Sequence, residues 1–146
     1  MSQQKPIAEH KVLMARDAIA AGAHPAPAAV KVNPTPLVGT WLNADKSTPS
    51  LVKIILSQSG GDLFIEAFGA CVPSPCPWGK VKATAFSSGV SSNGATSFLA
   101  HYDQGFADRT VTGSLFEGAL VVDIFTVFKD NSGRDNYHFQ DTLYRP

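Results

Sequence analysis

Phe106–Leu115 and Ala119–Phe128, FADRTVTGSL and ALVVDIFTVF, are two ribbons of apolar and polar residues separated only by Phe116-Glu117-Gly118. Both are rich in Val, Thr, Ile and Phe, residues that suit a pleated, half-buried surface. Glu117-Gly118 supplies residues that tolerate positive φ at a tight reversal. The stretch therefore predicts an antiparallel hairpin. The same texture extends in both directions. Strands are predicted at Val38–Asn43, Leu51–Ser57, Leu63–Phe68, Gly79–Phe86, Thr96–Tyr102, Phe106–Leu115, Ala119–Phe128 and Asp135–Tyr144. Ser59-Gly60-Gly61-Asp62, Ser92-Asn93-Gly94 and Asp130-Asn131-Ser132-Gly133 punctuate them as turns. Such short connections pair each strand antiparallel with the next.

An eight-stranded meander must hide its two edges, and closing the sheet on itself does so. The expected fold is all-β: an eight-stranded antiparallel up-and-down barrel over residues 38–146. A two-sheet sandwich is the competing solution. It is disfavoured because the links look like hairpins rather than long Greek-key crossings. Before the barrel, Ile7 to Ala21 carries a thin, Ala-rich apolar face opposite His10, Glu9, Arg16 and Asp17, which predicts a short amphipathic helix within an arm, residues 1–24. Residues 25–37 hold Pro25, Pro27, Pro34 and Pro36 among alanines and read as a semi-rigid linker.

The chain has 146 residues, 44% of them hydrophobic and 16% charged, with twelve basic residues balancing twelve acidic ones. That composition argues against a wholly disordered chain. The absence of a basic excess argues against a nucleic-acid partner. No run approaches the ~18–20 apolar residues of a membrane-spanning helix. The first residues lack a continuous apolar run, so the expectation is a cytoplasmic chain or a secreted one whose signal has been removed.

Gly39-Thr40-Trp41-Leu42-Asn43 opens the first predicted strand. This resembles the calycin barrels, lipocalins and avidins, whose first strand carries Gly-x-Trp. The resemblance implies that Trp41 plugs one barrel end. Asn43 and Ser47 match two positions that contact biotin in avidins. The further pocket tryptophans of that family are missing, since Trp78 is the one other tryptophan, so biotin is not the implied ligand. A second likeness lies in Cys71-Val72-Pro73-Ser74-Pro75-Cys76-Pro77-Trp78-Gly79, with Gly39–Asp45 and Ser132-Gly133-Arg134. It is similar to a signature of small bacterial β-domains, which often carry an acidic residue where this chain has Pro77. It implies one intact domain over Val38–Arg145 and no particular activity.

Cys71 and Cys76 stand five apart among prolines. A structural disulfide or simply a rigid turn is the plain reading. A redox role is disfavoured because the spacing is not Cys-x-x-Cys, and a metal site because two sulfurs need further ligands nearby. No metal and no cofactor is implied.

The remaining candidates are polar and aromatic residues on the strands. Glu66 between Phe64 and Phe68, His101 beside Tyr102, Arg109, Asp123 and His138 are costly if they face the interior, unless they are paired or meet a ligand. The alternative is the solvent face of an alternating strand. For Arg109 and Asp123, on adjacent strands, a buried salt bridge is a further option. The leading functional expectation is a non-catalytic barrel for a small hydrophobic or aromatic molecule. Its walls would be Phe64, Phe68, Phe98, Tyr102 and Phe125, with Asn43, Glu66, Arg109, Asp123 and His138 orienting the guest. The alternatives are a barrel enzyme of isomerase or cyclase type working through Glu66 or Asp123 with His101 or His138, and an interaction module with a filled core. In the last case the chain would self-associate through the N-terminal helix or strand 119–128.

Overall fold

A computed structural model describes residues 31–146, of which Val32–Pro146 form one compact unit. The predicted helix, the arm and residues 25–30 of the linker lie outside the described residues. Eight strands follow in order: β1 (Gly39–Asn43), β2 (Leu51–Ser59), β3 (Asp62–Gly69), β4 (Cys76–Ser87), β5 (Ala95–Asp103), β6 (Ala107–Phe116), β7 (Ala119–Phe128) and β8 (Tyr137–Tyr144). Each pairs antiparallel with the next, and β1 pairs with β8, so the sheet closes as an all-β, up-and-down barrel. The architecture is compatible with a calycin-like barrel. No α-helix occurs among the described residues, and none there is long and apolar enough to cross a membrane.

The β6–β7 hairpin forms as its sequence dictates. Phe116 pairs with Ala119 across a two-residue turn in which Glu117 has φ 51° and Gly118 φ 84°. Two positive φ values match the right-handed twist of the flanking strands. Val32–Leu37, assigned above to the linker, packs with the barrel. Asn33 donates to Asn93 O and accepts from Ala95 N, and a 3-10 turn at Thr35–Leu37 buries Leu37 completely.

That turn caps the closed end. The Trp41 indole N–H donates to Leu37 O at 3.0 Å, and its ring is fully buried. The Arg145 guanidinium lies 4.2 Å from the Trp41 ring centroid and donates to Pro36 O and Val38 O. Above this plug, Ile54, Leu56, Ile65, Phe98, Val111, Leu120, Val122 and Leu143 fill the interior. A side chain at Gly113 would put its Cβ 2.3 Å from Phe98 Cε2, so the β6 backbone is bare where the ring lies against it.

The strand faces correct several expectations. On β3 the buried set is Leu63, Ile65 and Ala67, while Phe64, Glu66 and Phe68 alternate outward. The register explains the choice. Ile65 lies opposite Leu56 and Val81, and Ala67 opposite Ile54, so the compact aliphatic set joins the core. The two phenylalanines lie instead beneath lysines, with Lys53 Nζ 4.4 Å from the Phe68 centroid and Lys80 Nζ 5.6 Å from that of Phe64. A one-residue choice of face moves a whole set of side chains.

Candidate functional site

The alternate strand ends place the connections 44–50, 70–75, 104–106 and 129–136 on one rim, opposite the Trp41 plug. Inside this rim the barrel is hollow. A cavity of about 210 Å³ is walled by Trp78 on β4, Arg109 on β6, Ile124 on β7, and Tyr137 and Phe139 on β8. Its edge is formed by Ser50, Gly69 and the disulfide Cys71–Cys76, whose Cα atoms are 5.5 Å apart.

Trp78 faces inward because β4 carries a bulge. Glu66 pairs with Lys80, but two residues further along β3 Phe68 pairs with Pro77, three residues back along β4. Trp78 and Gly79 therefore share the position opposite Ala67. Without the extra residue Trp78 would share the outer face of Lys80 and Lys82. The bulge re-aims it into the barrel. Gly79 has φ 99°, a conformation L side chains rarely adopt.

The ladder gap at the bulge is filled from β5. The Tyr102 hydroxyl accepts from Ala67 N at 3.1 Å and is 3.2 Å from Ile65 O and 3.0 Å from Gly79 O, to which its single proton is shared. Its ring meets Trp78 edge-on, with centroids 5.5 Å apart at 83°. Burial pushes the Tyr102 phenol up to about 12, with Glu66 adding to the rise and the Ala67 N–H opposing it. The hydroxyl therefore stays protonated near neutral pH. A side chain at Gly69 would bring its Cβ 2.9 Å from Trp78 Nε1, so the bare β3 backbone accommodates the indole.

Arg109 also faces the interior, between Ala107 and Val111, both of which are fully buried. Its guanidinium carbon is 4.6 Å from the Trp78 ring centroid and 5.9 Å from that of Phe106. Its Nε is buried without a hydrogen-bond partner, and so is the hydroxyl of Thr126, its cross-strand neighbour on β7.

For Asp123 the solvent face holds, and the alternative of a buried salt bridge to Arg109 does not form. Asp123 alternates with buried Val122 and Ile124 and so faces outward, where His138 Nε2 lies 2.7 Å away and Gln140 donates at 3.1 Å. Phe125 is 46% exposed on the same outer surface and stacks on His138 at 4.7 Å. His101 is outward too, 3.3 Å from Asp108. Glu66, Asp123, His101 and His138 thus do not converge inside the barrel. Asn43, matched to a ligand-contacting position, is committed to the backbone: it donates to Leu51 O at 2.7 Å and accepts from Asp45 N at 2.8 Å. Of the anticipated wall and orienting residues, Asn43, Phe98, Tyr102 and Arg109 point in. Phe98 belongs to the filled half, Tyr102 supports Trp78, and only Arg109 lines the cavity.

Trp78, Tyr137, Phe139 and Ile124 were not singled out as wall residues from the sequence. The signal for Trp78 was present in the Trp78-Gly79 step, since a glycine inside a strand marks a bulge. Among the described residues no three His, Cys, Asp or Glu side chains gather as metal ligands. No protein-family model, no curated protein and no solved structure matches the chain.

Proposed function

We propose that the barrel binds a small aromatic molecule in its open mouth and carries out no chemistry on it. One observation carries this reading. The interior is packed solid behind Trp41 but hollow at the other rim, and the hollow is walled by three aromatic side chains, Trp78, Tyr137 and Phe139. Concave spaces with aromatic walls and a few polar groups that orient the guest are the usual form of small-molecule sites. A dry cavity of about 150 Å³ accepts benzene. The 210 Å³ here suits one ring with a substituent and is too small for a long acyl chain.

The enzyme alternative has less support, because the acid–base candidates sit on the outer face. Self-association through β7 rests on its outward Phe125 and Val127, 46% and 47% exposed.

The test is a titration of isotope-labelled protein with monocyclic aromatic compounds, followed through the two indole N–H resonances. The Trp78 resonance is expected to shift saturably at or below ~1 mM ligand, while that of Trp41 at the closed end stays fixed. No shift at Trp78, or equal shifts at both, overturns the proposal.

A further inference from the structure

We infer that the molecule held in the mouth carries a carboxylate, taken by the edge of the Arg109 guanidinium. The inference rests on the mouth being the binding site and adds the chemical class of its guest. Turning a guanidinium into a barrel is costly unless its charge and its N–H groups are met. Trp78 and Phe106 lie near it at 4.6 and 5.9 Å, and such ring contacts meet the charge in part. They do not satisfy the five N–H donors, which radiate in the guanidinium plane. Nε is buried and unpartnered.

No neighbouring group supplies the missing acceptor. Tyr102, the cross-strand neighbour on β5, spends its hydroxyl on the β3 and β4 backbone. Asp108 is turned outward to Lys129 and His101. Asp123 is paired with His138 on the outer face. Asp141, on the inner face of β8, does not line the cavity; its Oδ1 accepts from the Thr48 hydroxyl at 3.4 Å, while its Oδ2, like Gln104 Oε1, is buried without a partner and so accepts from no Arg109 N–H. Thr126, in register with Arg109, has an unused hydroxyl. A planar carboxylate matches this arrangement, because it accepts two parallel N–H bonds from a guanidinium edge. The aromatic walls accommodate the ring that bears it.

Benzoate and benzamide have nearly the same shape and differ in charge, so they separate the two readings. With the full chain, benzoate is expected to bind at least ~10-fold more tightly than benzamide. Arg109→Gln should erase that preference, so that benzoate binds no more tightly than benzamide, and Arg109→Lys should restore only part of it, because an ammonium lacks the planar fork. Equal affinity of the two probes for the unaltered protein overturns the carboxylate inference and leaves the aromatic site standing. Binding of neither brings down both. Persistence of the benzoate preference in Arg109→Gln also overturns the assignment. The probe comparison needs no variant, so it decides the matter even if Arg109→Gln fails to fold.

Discussion

Tyr102→Phe removes one oxygen from the point where the β3–β4 ladder is interrupted. The ring, its edge contact with Trp78 and its 2% exposure are expected to remain. What is lost is the acceptor for Ala67 N–H and the donor shared between Ile65 O and Gly79 O. Ala67 and Ile65 are fully buried, so water does not replace the hydroxyl without rearrangement. Each buried polar group left unpaired costs about 1–3 kcal/mol, which puts the loss at about 2–4 kcal/mol. With m of about 2 kcal/mol/M, a loss of about 3 kcal/mol lowers the urea midpoint by about 1.5 M. The pH dependence supplies an internal control. Burial raises the phenol from 10.0 to about 12, so between these values the folded state holds a proton that the unfolded state has released. Stability is then lost as pH rises through this window, by up to about 2 kcal/mol. The variant has no such component, and the gap between the two proteins should narrow from pH 10 to pH 12. Lys129, whose pKa is raised first by its hydrogen bond to Asp103 and then by that to Asp108, titrates in both proteins and cancels in the difference. A loss below about 0.5 kcal/mol, or a gap that stays constant across the window, would refute the bridging role given to this hydroxyl.

Gly113→Ala forces a methyl against the buried Phe98 ring, with Cβ 2.3 Å from Cε2. Thermal unfolding should show about 1–3 kcal/mol of destabilisation, and adding Phe98→Leu should recover part of it. Replacing Cys71 and Cys76 together by serine should cost about 2 kcal/mol, the chain-entropy value for so short a loop, with an unchanged far-ultraviolet circular dichroism spectrum. Arg145→Met removes the hydrogen bonds to Pro36 O and Val38 O and the cation over Trp41. It should lower stability by about 1–2 kcal/mol in denaturant unfolding, and an unchanged midpoint would count against the clasp.

The number of strands, their order and the closed barrel were legible because two local signals agree: period-two alternation and turn residues such as Glu117-Gly118. Boundaries were less so. β4 begins at Cys76, three residues before the expected Gly79, because Pro73, Pro75 and Pro77 read as loop although Pro77 pairs with Phe68. The faces were least legible. Phe64, Glu66 and Phe68 alternate with Leu63, Ile65 and Ala67, and either set makes an acceptable inner wall when β3 is read alone. Only the register with Ile54 and Leu56 on β2 decides between them. Arg109 illustrates the reverse case. Its charge suggested the solvent face, an internal partner or a place beside a guest, and the structure turns it inward with no ion pair. Trp78 depended on a bulge that changes the parity of β4 midway, which simple alternation does not anticipate.

Seven of the eight seams in this barrel are hairpins, formed between segments that are neighbours in sequence. The eighth must join segments about a hundred residues apart, yet it has only two paired positions, Leu42–Tyr144 and Asn43–Leu143, and one further bond from Ala44 N to Thr142 O at 2.9 Å. Bringing such distant points together costs about 4 kcal/mol in chain entropy, more than so few backbone bonds comfortably offset. Arg145 follows β8 directly and grips the backbone on either side of Leu37, just ahead of β1. The last residues of the chain thus act as a buckle, completing a ring whose final joint is its weakest.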